Sequence, residues 1–216
     1  MNIEFAREQM VQQQIRAWDV LDESVLDTFR VTPRELFVPA GFEALAFAET
    51  EIPIGQAEHM LAPVIEGRIL QALELAPTDR VLEIGTGTGF LTACIARLAN
   101  HVTSIDIHEQ VVAAARQRLE ELGIGNAELE TMDAMTELPE GPFDAIVVGG
   151  SVERFEQRFV DALSPGGRLF VVVGEAPAME ARLITRSDDN EWQSEVLFET
   201  ELKALVNGSL PEAFFF

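Results

Sequence analysis

The stretch "RVLEIGTGTGFLTACIARLA" (Arg80–Ala99) decides the fold. Val81, Leu82 and Ile84 form a short apolar run rich in β-formers. Three glycines then alternate with threonines, and the chain resumes as "FLTACIARLA", apolar at helical spacing. A strand that breaks on glycine and re-enters as a helix is a strand–loop–helix unit. Gly85 and Gly87 let the backbone turn tightly and approach a ligand where a Cβ would clash, and Gly89 lets the helix pack close to the strand.

Working outward, "HVTSIDI" (101–107) reads as the next strand. It ends at Asp106, 21 residues after Gly85, where an acid receives the ribose hydroxyls of an adenosine cofactor. In "EQVVAAARQRLEELG" (109–123), Val111, Ala115, Leu119 and Leu122 line one helical face before a glycine stop. "AELETMD" (127–133) brings Asp133 to the end of a third strand. "FDAIVVGG" (143–150), a helix around "RFEQRFVDAL" (154–163), the turn "SPGG" and "RLFVVVG" (168–174) continue the alternation. This predicts the α/β class: a doubly wound, Rossmann-like, mostly parallel sheet with helices on both faces. Shorter β-like stretches from Arg182 to Phe198 read as an antiparallel pair closing one edge.

The glycine spacing is GxGxG rather than the GxGxxG of dinucleotide enzymes, and Glu83 stands just before it. A pyrophosphate wants an uncompensated helix N-terminus. A carboxylate ahead of the loop suits a cofactor bearing positive charge, which favours S-adenosylmethionine with its sulfonium and ammonium.

Ahead of this unit the first fifty residues read as helical. "LDES" (Leu21–Ser24) supplies a capping start, "VTPRELFVPAGF" a region of turns, and Pro63 the first turn of a second helix. The expected organisation is an N-terminal helical extension with the substrate and cofactor loop over residues 1–76, and an S-adenosylmethionine-binding domain over 77–216, as one unit.

Thirty-seven acidic residues against fifteen basic ones give a formal net charge of −22, and Lys203 is the chain's only lysine. Such a surface repels phosphate, so nucleic acid and anionic membrane are not expected partners. The acidity fits either a GC-rich genome or a saline habitat. No apolar run reaches bilayer length, and the opening residues lack the apolar block of a signal peptide. The single cysteine, Cys94, excludes an intrachain disulfide and a cysteine metal cluster, so a cytoplasmic setting is expected. Cys94 reads as a small buried apolar residue, and His101 and His108 as surface or cofactor-rim residues; the three histidines have no metal-site spacing, and no metal is expected. The terminal "FFF" (214–216) reads as packing on its own domain or as a docking element, with monomer and dimer both open.

"VLEIGTGTGFLTACIARLA" resembles the first motif of class I S-adenosylmethionine-dependent methyltransferases, and in particular of the protein-L-isoaspartate O-methyltransferases. "MVQQQIRAWDVLDESVLDTFRVTPRELFVP" (10–39) resembles that family's N-terminal segment, which runs from a Met-Val-x-x-Gln-Ile helix to Val-Pro-Arg and Phe-Val-Pro. "IPIG" (52–55) is similar to its Leu-Pro-Ile-Gly and "FDAIVV" to its fourth strand. The resemblance extends from about Met10 to Gly174. It implies an enzyme that uses S-adenosylmethionine to methylate the carboxyl of isoaspartyl residues in damaged proteins. It also implies cofactor contacts from Glu83, Gly85, Thr86, Gly87, Gly89, Asp106, Ile107, Asp133, Ala134, His59 and Met60.

The departures lie on the substrate side. Where the family usually reads Gln-Thr-Ile-Ser-x-Pro, this chain reads Glu58, His59, Met60, Leu61, Ala62, Pro63, so both hydroxyls are gone. Leu61 stands at the family's serine. Near the C-terminus "LFETELKALVNG" replaces the usual Phe-Val-Pro-Leu. A carboxylate acceptor needs donors that aim it and no general base. An alcohol, phenol or amine must lose a proton, which His59 or Glu58 could take. Three readings follow: an isoaspartyl methyltransferase with a protein or peptide substrate; a divergent paralogue with another acceptor, a small molecule included, and His59 or Glu58 as base; or a non-catalytic S-adenosylmethionine-binding module.

Overall fold

Asp22 caps the helix Glu23–Val31 that the "LDES" start predicts, its carboxylate accepting from the backbone N–H of Ser24 and Val25. A computed structural model describes residues 2–188 and 191–208, so the Phe214–Phe216 run lies outside the described residues. α1 (Ile3–Met10) continues through a π-turn and a 3₁₀ turn to Trp18, and α2 (Glu23–Val31) follows. Short 3₁₀ turns at Arg34–Leu36 and Glu43–Leu45 occupy the proline-bearing stretch. A small antiparallel hairpin, β1 (Ile52–Gly55) and β2 (Glu58–Met60), leads into α3 (Pro63–Leu73), with proline in its first turn.

The main sheet then forms in alternation: β3 (Arg80–Ile84), α4 (Phe90–Leu98), β4 (His101–Asp106), α5 (Glu109–Glu121), β5 (Ala127–Thr131), β6 (Phe143–Val152), α6 (Gln157–Asp161), β7 (Leu163–Glu175), β8 (Ala178–Asp188) and β9 (Glu191–Glu199). The spatial order is β5-β4-β3-β6-β7-β8-β9. β5 through β7 run parallel, and β8 and β9 pair antiparallel at one edge. The expected doubly wound, Rossmann-like sheet is present, and its order reverses between β3 and β6.

Period-two alternation sorts the strand side chains between two cores. Val81 joins a core built with residues of α1 to α5, among them Met10, Leu26, Phe29, Leu70, Phe90, Ala115 and Leu119. Leu82 and Ile84 face the opposite core, to which α6 contributes Phe159 and Val160. Helices therefore cover both faces, but unequally: five on one side and one short helix on the other. Phe90, the first residue of α4, packs against Phe29 and Phe37 with ring centroids 5.6 and 5.5 Å apart. Rings in tilted and edge-on contact at this distance lock the N-terminal helices to the helix that carries the glycine loop.

Three sequence expectations need adjusting. The buried face of α5 uses Val112, not Val111, with Ala115 and Leu119, and Leu122 is only half-buried. Val111 and Val112 are both apolar, so packing against the sheet and not local pattern chooses between them. The helix expected over 154–163 shrinks to α6, five residues long. The edge pair consists of long strands, 11 and 9 residues, instead of short stretches. Among the described residues no helix is long and apolar enough to cross a membrane.

Candidate active site

A crevice opens at the C-terminal ends of β3, β4 and β6, where the strand order reverses. This is the position where open α/β sheets bind ligands. Glycines line it from the loop after β3 (Gly85, Gly87) and from β6 (Gly149, Gly150). Gly85, Gly87 and Gly89 have φ of +97°, +52° and +87°, a region that side chains disfavour. A Cβ on Gly149 would stand 3.2 and 3.3 Å from the carbonyl oxygens of Ile84 and Gly85. The loop is held from β4, because the N–H groups of Gly85 and Thr86 both donate to the carbonyl of Ile105, at 2.8 and 3.2 Å.

Of the carboxylates that line this crevice, Asp106 and Asp133 stand at its sheet end. Asp106 accepts from the Gly87 N–H at 3.1 Å and the His108 N–H at 3.0 Å. Asp133 accepts from the Met135 N–H and the Asn207 side-chain amide, both at 2.8 Å. Each oxygen carries one donor on these bonds, leaving acceptor capacity toward the crevice. Ile105, Ile107, Ala134 and Met135 supply apolar surface between the two acids. Narrow glycine walls, paired acids with spare acceptors and an apolar slot fit an adenosine bearing a positively charged chain.

Of the cofactor positions named from sequence, Gly85, Gly87, Asp106, Ile107, Asp133, Ala134 and His59 line the crevice, while Glu83, Thr86, Gly89 and Met60 do not. Strand alternation explains Glu83. It shares the face of Val81 and points under α4, fully buried, where Oε2 accepts from the hydroxyls of Thr92 and, at 2.5 Å, of Ser104. Thr86 bonds Ser104 at 2.7 Å. Since the Ser104 proton goes to Glu83, Thr86 is the donor in that pair. Burial pushes the Glu83 carboxyl up to about 8, against the pull of its two hydroxyl donors. The side chain is thus held by Thr92 and Ser104 beneath the loop and does not line the crevice. Gly89 has a packing role, a Cβ there standing 3.1 Å from that of Ala115.

Glu58, His59 and Leu61 all reach the crevice, from β2 and the residue after it. Beneath them lies a buried ion pair between Arg34 and Glu66. Arg34 also donates to the carbonyl of Leu61 at 2.6 Å and of Ala46 at 3.0 Å, and its guanidinium sits 4.6 Å from the Phe90 ring centre. One arginine thus ties the hairpin exit to the helix after the glycine loop. Burial raises the Glu66 carboxyl, with Arg34 pulling the other way.

The profile of the family described as Protein-L-isoaspartate(D-aspartate) O-methyltransferase (PCMT) matches residues 5–209. The chain belongs to this family. A protein-L-isoaspartate O-methyltransferase 2 of Pelobacter propionicus is 35% identical over 207 residues, 95% of this chain and 92% of that one. The corresponding protein of Methanoculleus marisnigri is 40% identical over 169 residues, 78% and 77% of the two chains. Among solved structures, a Plasmodium falciparum protein-L-isoaspartate O-methyltransferase in complex with S-adenosyl-L-homocysteine superposes with a TM-score of 0.79 over 92% of this chain and 97% of that one. At 20% identity it speaks for the fold alone.

Within this protein-L-isoaspartate O-methyltransferase fold, His108 lines the crevice, and several other lining residues had no place in the sequence reading: Glu51, Gly149, Gly150 and Lys203. The two glycines follow "FDAIVV" and were a legible signal. Lys203 had none, since it arrives from a segment more than fifty residues downstream of β6. The carbonyl of Leu202 accepts from the Ser151 hydroxyl at 2.9 Å, and the carbonyl of Lys203 from the Ser151 N–H at 2.9 Å. The Leu205 N–H returns to the Ser151 carbonyl at 2.9 Å.

Proposed function

We propose that this chain transfers the methyl group of S-adenosylmethionine to the carboxylate of isoaspartyl residues in proteins and peptides. The observation that carries the reading is one continuous crevice, with Asp106 and Asp133 at its sheet end and Glu58, His59 and Leu61 from the hairpin at its other. On this reading residues 77–216 hold the cofactor, and residues 1–76 supply the loop that faces the acceptor. Asp106 and Asp133 hold the nucleoside, the Gly85–Gly89 turn admits it, and the hairpin keeps water from the reacting atoms. When bound, the cofactor supplies an electrophilic carbon: a carboxylate oxygen forms the new C–O bond while the C–S bond breaks with its electron pair going to sulfur, leaving a methyl ester and S-adenosylhomocysteine. No proton moves, so no general base is required. The chain's residues have two tasks, aiming one carboxylate oxygen and excluding solvent. The acidic surface and the lone, buried Cys94 support a cytoplasmic enzyme acting on protein and not on nucleic acid.

A second reading has one observation behind it. No serine or threonine lines the crevice among the described residues, while His59 and Glu58 do. A paralogue that deprotonates an alcohol, phenol or amine would use them as base. Methyl transfer to paired isoaspartyl and aspartyl peptides separates the two. Transfer to the isoaspartyl peptide alone supports the first reading; S-adenosylhomocysteine binding without transfer to either peptide favours a paralogue with another acceptor or a non-catalytic binding module.

A further inference from the structure

We propose that Lys203 is the residue that grips the acceptor carboxylate, an assignment that rests on the carboxyl-methyltransferase reading of the same crevice. The crevice wall is acidic: Glu51, Glu58, Asp106 and Asp133 line it, and Lys203 is the one lysine or arginine that does so among the described residues. Its side-chain N–H donors are confined to Lys203, His59 and His108. A carboxylate entering this space meets like charge and loses water, and each effect opposes binding unless a cation and its hydrogen bonds replace the solvent. Lys203 is positioned to do so.

Its mounting is rigid at the backbone and adjustable at the tip. Ser151, fully buried at the end of β6, fixes the main chain on both sides of Lys203 through the three bonds described above. A Cβ at Gly150 would stand 3.0 Å from the Lys203 carbonyl oxygen and from a Leu205 methyl, tighter than ordinary contact, so glycine there eases the close approach of this segment to the sheet. From this frame Nζ crosses the mouth to the hairpin, donating to the Ala57 carbonyl at 2.9 Å and to the Glu58 carboxylate. An ammonium carries three N–H donors, so one remains after those two bonds. Glu58 also lies 3.6 Å from His108 Nε2 and is the resident counter-ion at this position. The arriving carboxylate takes the remaining N–H and competes with Glu58 for the charge. The ammonium then holds one substrate oxygen while the other attacks. Esterification removes the negative charge that Lys203 holds, so the product is bound more weakly than the substrate.

Three variants of the full chain test this: Lys203→Met, Lys203→Arg and Glu58→Gln. Each is measured for KM and kcat with an isoaspartyl peptide, and for S-adenosylhomocysteine affinity and peptide binding to the S-adenosylhomocysteine complex by calorimetry. Loss of a half-exposed charged hydrogen bond predicts a KM about tenfold higher in Lys203→Met, with S-adenosylhomocysteine affinity unchanged. Lys203→Arg recovers most of that loss, and Glu58→Gln lowers KM below wild type because a competing carboxylate is gone. A purely structural tie predicts the opposite pattern, since Lys203→Met and Glu58→Gln break the same pair and would raise KM together. That parallel rise, an unchanged KM in Lys203→Met, or a loss confined to S-adenosylhomocysteine affinity each overturns the assignment while leaving the activity reading intact. A wild-type enzyme that binds the peptide through Lys203 without methylating it overturns the activity reading and keeps the assignment. A wild type that neither binds nor methylates the peptide overturns both.

Discussion

The backbone N–H of Gly87 donates to Oδ2 of Asp106 at 3.1 Å, so the middle of the glycine loop and the end of β4 hold each other in place. Asp106 thereby has two duties, shaping the loop and offering acceptors to a ribose. Asp106→Ala removes both, and S-adenosylhomocysteine affinity should fall by roughly ten- to a hundredfold, the cost of one or two charge-assisted hydrogen bonds. Titration calorimetry on the folded variant reads it directly.

Gly149 faces the same loop from β6. A methyl group there would stand 3.2 Å from the Ile84 carbonyl and 3.3 Å from that of Gly85. Gly149→Ala should therefore weaken S-adenosylhomocysteine binding more than it lowers stability, since the added carbon pushes on the loop at the crevice floor. Comparing the ligand's dissociation constant with the urea midpoint separates the two effects.

Arg34 and Glu66 form an ion pair with both side chains buried. Arg34→Met leaves Glu66 without its partner and releases the carbonyls of Leu61 and Ala46. Breaking such a pair costs about 3–5 kcal/mol, while replacing both partners costs much less. Urea unfolding of Arg34→Met should show a loss of that order, and Arg34→Met combined with Glu66→Leu should recover part of it.

The fold was legible where local pattern and tertiary need agree. The glycine loop follows a strand, Asp22 caps α2 and Pro63 opens α3, and each signal is local. The site was legible at its sheet end for the same reason, because Asp106 ends β4 and Asp133 follows two residues after the end of β5. Glu83 shows where the logic stops: the charge argument placed it toward a ligand, whereas strand alternation buries it beneath α4 beside Thr92. Lys203 and Arg34 act through contacts across 145 and 32 positions of sequence. No periodicity encodes such a contact.

Glu83 carries a pH signature. Its folded-state value of about 8 lies above the usual 4.5, so the folded protein binds the extra proton between these limits. Its contribution to stability is complete below about 4.5 and is lost as pH rises through about 8. Glu66, raised by burial, acts with the same sign. The melting temperature should decline across that window. Glu83→Gln, which imitates the protonated acid, should flatten the decline; a slope identical to wild type would show that Glu83 does not hold the proton.

The central claim is that the crevice delivers an activated methyl group to an isoaspartyl carboxylate. The direct measurement is transfer of labelled methyl from S-adenosylmethionine to matched isoaspartyl and aspartyl peptides, with Asp106→Ala as control. A base-labile methyl ester should form on the isoaspartyl peptide alone, and be greatly reduced in the variant. The kcat should be independent of pH from about 6 to 8, since a carboxylate needs no base; a base-dependent acceptor would show a rise near the histidine range of about 6.5. Intact S-adenosylmethionine binding with no ester on the isoaspartyl peptide would contradict the claim.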